Sequence, residues 1–243
     1  MIKFNVAAIN CCTETEGPYK RLCIWFQGCD IHCKGCCNPD YQAFAVRNLM
    51  TLDKLVAIIK DAKEKYPISQ EYLDMCAHKL GEMVRIPSVS RAEHEDLTEF
   101  YRLHGVLEEQ FPLIHEKLEK TVLNGTLLYR WAGANREKQP ILFMGHQDVV
   151  PASDEGWSVP AYSGVAKDGC LYGRGALDCK GTMYVEMQAV EELLAEGYVP
   201  PQDVYLSSSC TEEHRGNGAT KLVRELQRRG VKPFLVCDEG GGI

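Results

Sequence analysis

The stretch Ile141-Leu142-Phe143-Met144-Gly145-His146-Gln147-Asp148-Val149-Val150-Pro151 most constrains what this chain can fold into. Its apolar run, Ile141 to Met144, predicts a buried strand that ends where a histidine and a carboxylate project two residues apart. Residues i and i+2 of a strand share a face, so His146 and Asp148 are set to work on one centre. Imidazole is a metal ligand, and a nearby carboxylate holds its tautomer and raises its basicity. A His-x-Asp pair at a strand end is also a common hydrogen-bonded pair with no further role. The downstream sequence decides between the two.

Three more acidic clusters follow. Gly173-Arg174-Gly175-Ala176-Leu177-Asp178-Cys179-Lys180-Gly181 puts an aspartate in a glycine-punctuated turn before a helix. Ser207-Ser208-Ser209-Cys210-Thr211-Glu212-Glu213 ends an apolar strand with two adjacent carboxylates, and Phe234-Leu235-Val236-Cys237-Asp238-Glu239-Gly240-Gly241 ends another the same way. Strands that deliver acids at their C-terminal ends point to the crevice where open α/β sheets place their sites. Carboxylates gathered at one sheet edge repel each other unless cations sit between them. A site for two divalent metals is the economical solution.

With these pieces in hand, residues from about 70 to 243 resemble the N-terminal part of an M20-family metallopeptidase, in the carboxypeptidase S and N-acyl-amino-acid hydrolase branch. The matching segments are His146-Gln-Asp148-Val-Val-Pro, Gly156-Trp157 with Pro160, Tyr172 to Gly175 through Asp178 and Gly181, Glu212-Glu213 with Gly216 and Gly218-Ala219, and Asp238 to Gly241. The resemblance implies that His146 binds one metal and that Asp178 bridges two. It implies that Glu212 is the general base and that Glu213 binds the metal opposite. Asp238 or Glu239 shares the metal with His146, the choice being open, and Asp148 steers the imidazole. Nitrogen and oxygen donors suit Zn²⁺, with Co²⁺ or Mn²⁺ as alternatives. In the family a last histidine ligand and a lid and dimerisation domain come later than Ile243 here. The resemblance therefore implies a partial metal site, a hydrolase impaired by truncation and no family dimer surface.

The 243 residues are 45% hydrophobic and 25% charged with net charge −7, a globular composition that argues against a nucleic-acid partner. No apolar run approaches the roughly 20 residues that span a bilayer. Met1 to Val6 lacks a signal-peptide core and reads as a strand, so the expectation is a cytoplasmic protein.

Seven of the twelve cysteines precede residue 38: Cys11, Cys12, Cys23, Cys29, Cys33, Cys36 and Cys37. In a reducing compartment such a cluster suggests metal or redox chemistry. Cys76, Cys170, Cys179, Cys210 and Cys237 read as ordinary buried thiols. Cys29, Cys33 and Cys36 have Cys-x3-Cys-x2-Cys spacing, with which three thiolates can hold a [4Fe–4S] cube and leave one iron open. This spacing, after Cys23-Ile24-Trp25-Phe26 and with Asn38 following, resembles the radical S-adenosylmethionine family and its glycyl-radical-enzyme activases, including the anaerobic ribonucleotide reductase activator. A zinc loop or free thiols is the alternative, and His32 reads as a bystander. The Gly-Gly-Glu segment that holds the cofactor's amino group in that family does not follow Tyr66, so only a fragment of the partial barrel is implied.

Leu49 to Lys65 reads as an amphipathic helix with Leu52, Leu55, Val56, Ile58 and Ile59 on one face and Thr51 as its N-cap. A second helix, Ser69 or Gln70 to Val84, leads to an Ile86-Pro87-Ser88 turn similar to the M20 opening. His94, His104 and His115, on or beside a helical stretch from Asp96 to Glu119, read as solvated or capping residues.

The expected architecture is α/β. Residues 1–66 form a radical-SAM-like [4Fe–4S] loop fragment, and residues 67–243 an incomplete M20 catalytic domain of mixed sheet flanked by helices. The expected function is metal-dependent hydrolysis of an amide or peptide bond in a small peptide or N-acyl-amino acid. The rivals are a radical S-adenosylmethionine activase fragment and an inactive, mis-joined reading frame. The absence of a linker rich in Gly, Ser or Pro between the halves favours the last.

Overall fold

The computed structural model of the chain describes residues 3–13, 21–29, 39–65, 67–91 and 96–239. It divides into two compact units, Met1–Leu73 and Asp74–Ile243. Of the residues singled out above, His32, Cys33, Cys36, Cys37, Asn38, Tyr66, His94, Gly240 and Gly241 lie outside the described set.

In the first unit β1 (Lys3–Thr13) pairs antiparallel with β2 (Arg21–Phe26) on one side and β3 (Asn48–Thr51) on the other. The strand expected at the N-terminus is present. The helix expected from Leu49 instead begins at Leu52: α1 spans Leu52–Lys65. Leu49, Met50 and Thr51 lie opposite Asn5, Phe4 and Lys3 of β1, so the ladder takes the backbone groups that a helix would have used. Thr51 does serve the helix start, its Oγ1 accepting the Lys54 N–H at 3.3 Å. Of the expected apolar face, Leu55 is buried, while Leu52, Val56 and Ile59 are exposed.

Most of α2 (Gln70–Val84) belongs to the second unit, which continues with α3 (Thr98–Gln110) and α4 (Pro112–Lys117). The single helical stretch expected from Asp96 to Glu119 is thus broken. Pro112 cannot donate back to the preceding turn and sits instead at the first position of a new helix. The two carboxylate oxygens of Glu191 accept the N–H groups of Leu113 and Ile114 at 2.9 Å each, satisfying donors that a helix start leaves free.

A five-stranded mixed sheet follows, built from β4 (Glu119–Leu123), β5 (Thr126–Trp131), β6 (Ile141–His146), β9 (Val204–Ser209) and β10 (Leu235–Cys237). A separate hairpin, β7 (Val165–Lys167) and β8 (Cys170–Tyr172), lies in the chain before α5 (Lys180–Ala195), and α6 (Gly218–Arg228) comes between β9 and β10. The sheet order is β10-β6-β9-β5-β4. β10, β6 and β9 run parallel, so their C-terminal ends share one edge, while β5 runs antiparallel to β9 and to β4. The turns Asn124-Gly125 and Asp168-Gly169 both have positive φ at each residue, the conformation tight hairpins require.

Strand alternation divides the core in two. Leu127, Tyr129, Trp131, Val204 and Leu206 face α5 and the α3–α4 pair, packing on Leu107, Phe111, Met183 and Met187. Leu128, Leu142 and Tyr205 face the other way, onto Leu222 and Leu226 of α6. The sheet is therefore covered by helices on both faces.

One close approach fixes how α2 lies in this unit. A Cβ on Gly81 would stand 2.5 Å from the carbonyl oxygen of Gly164, itself at φ +56°. Alanine normally favours a helix interior by about 1 kcal/mol over glycine, but here backbone must move to admit the methyl group. Gly81→Ala is expected to destabilise the fold by about 1–3 kcal/mol, the range for overpacking, read as a lower urea midpoint.

Candidate metal centre

Three parallel strands ending on one edge bring their following loops together, and His146 is the hub. It is the last residue of β6 and is 1% exposed. Its Nδ1–H donates to the backbone carbonyl of Asp148 at 2.9 Å, and Nδ1 stands 3.4 Å from that residue's Oδ1. This turns Nε2 toward the acids: 2.9 Å to Asp178 Oδ1, 3.3 Å to Glu239 Oε1 and 3.8 Å to Glu212 Oε2. Burial alone would lower the imidazole's basicity, but hydrogen bonds to Asp148 and Cys179 and their negative charge push its pKa up to about 12. The surroundings favour positive charge at this ring.

Two groups of donors could hold a metal, each with ligand atoms within 4.8 Å of one another: His146, Asp178 and Glu213, and His146, Cys179 and Glu239. All the acids named for the site except Asp238 thus converge. Asp238 is exposed, and its Oδ1 accepts the Glu239 N–H at 3.0 Å. Glu212 and Glu213 have pKa values raised first by burial, then by the neighbouring carboxylates, Asp178 foremost for Glu213.

Asp148 is fully buried and works on more than the imidazole. Its oxygens accept the backbone N–H groups of Glu212 and Glu213, at 3.1 and 3.0 Å, and the Ser90 hydroxyl at 2.6 Å. Burial opposes its charge, yet these hydrogen bonds and that from His146 hold its pKa below the ordinary carboxylate value. One side chain therefore sets the positions of the other two acids' backbone.

Several groups were not anticipated. His104, read as solvated or capping, is buried, and its Nε2 stands 2.9 Å from Gln147 Oε1. The Gln147 amide in turn donates to the carbonyls of Gly125 and Ser208. Burial lowers the His104 pKa, so the ring stays neutral and pins the residue between His146 and Asp148 from the opposite face. His115 is likewise half-buried, sharing hydrogen bonds with the Phe111 carbonyl and the Tyr129 hydroxyl. Of the five scattered cysteines expected to be buried thiols, Cys179 and Cys210 are buried, Cys76 and Cys237 are half-buried and Cys170 is exposed. Cys179 stands in the site: its Sγ accepts the His146 N–H at 2.9 Å. Burial pushes this thiol up to about 11. Lys180, fully buried one residue on, donates to the carbonyls of Met83 and Ile86 at 3.0 and 2.6 Å, and burial lowers its pKa to about 7.

Residues 142–242 match the model of peptidase family M20/M25/M40, and residues 15–73 match a 4Fe-4S single cluster domain. Human N-fatty-acyl-amino acid synthase/hydrolase PM20D1 is 36% identical over 168 residues, 66% of this chain and 33% of that protein. Carboxypeptidase S of Saccharomyces cerevisiae is 37% identical over 184 residues, 68% of this chain and 31% of that one. The chain spans about a third of the length of the curated relatives it matches. Human carnosine dipeptidase 1 shares the fold at TM-score 0.57 and 23% identity, over 80% of this chain and 42% of that one. The Sulfolobus solfataricus M20 metallo-carboxypeptidase Sso-CP2 does so at TM-score 0.55 and 23% identity, over 72% and 38%. The second unit carries part of a peptidase M20 domain, a mixed α/β fold, and the N-terminal part carries a 4Fe-4S domain.

The crowding of acids leaves a measurable trace at Glu186 on α5. Burial first, then the charges of Asp238 and Glu239, raise its pKa from 4.5 to about 8. The folded protein thus binds more protons than the unfolded chain between these values, so this group makes stability fall as pH rises through the window. Glu186→Gln should flatten stability against pH between 4.5 and about 8, measured by urea unfolding at stepped pH.

Proposed function

We propose that the second unit is the metal-binding part of a hydrolase that cleaves an amide bond in a small peptide or N-acyl-amino acid. The observation that carries this reading is the imidazole of His146, its Nε2 turned onto Asp178, Glu212 and Glu239 within 3.8 Å. The donor set fits divalent ions of the zinc type, since nitrogen and carboxylate oxygen are its usual partners. His146, Asp178, Glu213 and Glu239 would hold them, His146 belonging to both groups of donors. A bound ion of this kind makes water acidic enough to attack near neutral pH and polarises a carbonyl.

The remaining chemistry belongs to the side chains. Glu212 is the proposed general base: its carboxylate is half-exposed and, at 3.8 Å, is the most distant of the three acids from Nε2. Its raised pKa brings the carboxylate closer to the basicity that proton transfer near neutral pH requires, and the same oxygen can return the proton to the leaving amine. Asp148 positions this base through its backbone N–H and orients the imidazole from behind. Glu239 is proposed as the ligand over Asp238, whose carboxylate caps its neighbour's amide.

Turnover of an N-acyl-amino acid by the purified zinc-loaded chain, measured as free amino acid released, tests the reading. Glu212→Gln is expected to keep metal binding and lose about 10²–10⁴-fold in rate, the usual contribution of a positioned acid–base group. Equal rates in wild type and Glu212→Gln would refute the role.

For the N-terminal part, the 4Fe-4S domain match supports a second proposal, that Cys29, Cys33 and Cys36 ligate a cluster whose open iron takes S-adenosylmethionine. Cys29 is anchored by its N–H to the Gln42 carbonyl at 3.0 Å, beside Gly28 held to that of Tyr41 at 2.8 Å. Anaerobic reconstitution should give a brown protein with about four irons per chain, the complement of one such cluster. Cys33→Ala is expected to remove both colour and iron.

A further inference from the structure

The two donor groups around His146 differ in kind. One, with Asp178 and Glu213, offers nitrogen and oxygen alone; the other, with Glu239, includes the sulfur of Cys179. A buried thiol with no role beyond packing usually lies among apolar neighbours. The Cys179 thiol instead lies against polar groups: the His146 N–H at 2.9 Å, the His146 carbonyl at 3.4 Å and the Glu239 carboxylate. It is 1% exposed, immediately follows Asp178, and its Sγ lies within 4.8 Å of ligand atoms of His146 and Glu239.

We propose that Cys179 is a thiolate ligand of the metal position shared by His146 and Glu239, which makes that position selective for soft divalent ions, Zn²⁺ and Cd²⁺ over Mn²⁺ and Mg²⁺. The inference rests on the metal-hydrolase reading and adds a donor to it. Sulfur, imidazole nitrogen and carboxylate oxygen together form a set that zinc accepts. Thiolate donors discriminate strongly against hard ions, which carboxylate-only sites do not. With the imidazole nitrogen given to the sulfur-bearing position, the other keeps carboxylate oxygens alone, so the two differ in softness, the sulfur-bearing one filling first and holding its ion more tightly. On binding, the thiol gives its proton to solvent as the sulfur–metal bond forms, so charge and atoms balance without any oxidant or reductant.

Co²⁺ spectroscopy of the 243-residue chain tests this, in a background where all seven cysteines before residue 38 are serine so that the N-terminal thiols are silent. The expected result is visible cobalt bands abolished by His146→Ala, together with a near-ultraviolet thiolate-to-cobalt charge-transfer band abolished by Cys179→Ser. Zn²⁺ affinity should fall roughly tenfold or more in Cys179→Ser, at the scale by which even outer groups tune such sites, with Mn²⁺ affinity unchanged. Circular dichroism checks the fold. Should Cys179→Ser misfold, Cys179→Asp keeps an anionic donor and should retain the visible bands while losing the charge-transfer band. Identical near-ultraviolet spectra with and without the thiol, with the His146-dependent visible bands intact, would overturn the ligand role and leave the metal centre standing. Cobalt bands indifferent to His146→Ala would overturn the metal-hydrolase reading and this inference with it.

Discussion

The hydrogen bond from His146 Nδ1 to the carbonyl of Asp148 is the constraint from which the site is built. It commits Nδ1 to the backbone, so Nε2 is the ring nitrogen turned onto the acids. The same short segment does two other things. The Asp148 carboxylate gathers the amides of Glu212 and Glu213, tying the loop after β9 to the end of β6. Gln147, on the opposite face, ties the strand to His104, Gly125 and Ser208. Three consecutive residues thus anchor both sides of the sheet edge.

That arrangement concentrates negative charge where proteins ordinarily dilute it. Asp178, Glu212, Glu213 and Glu239 approach one imidazole, and the strain registers as raised proton affinities at Glu212, Glu213 and, further back, Glu186. Asp148 goes the other way, because its charge is spent on hydrogen bonds before it meets its neighbours. A cluster of this kind is stable when a positive charge is bound and tense when it is not. The β-strands hold the ligands ready, and the cost of bringing like charges together is met by the core packed on both faces of the sheet.

The acid-bearing strand ends were legible in the sequence because apolar runs, glycine turns and carboxylates each leave a local mark, and the topology then converges them. What was not legible depended on distant partners. Leu49 to Thr51 has no local feature barring a helix; pairing with Lys3 to Asn5 made it strand. His104 looked surface-bound because its partner Gln147 is 43 residues away. Asp238 and Glu239 are chemically alike and adjacent, so only backbone direction separates the carboxylate that reaches His146 from the one that caps an amide. The break at Phe111 was readable from Pro112, whose place at a helix start is a local rule. Cys179 had a signal too, its position directly after the aspartate of the glycine-punctuated turn.

Lys180 joins the centre to the rest of the fold. Its ammonium is clasped by the carbonyls of Met83 and Ile86, where α2 ends, while its backbone begins α5 one step from Cys179 and two from Asp178. The turn that presents Asp178 therefore cannot loosen by itself: freeing it strips a buried cation of its acceptors. The rim of the site and the tail of α2 are thus coupled through this one side chain.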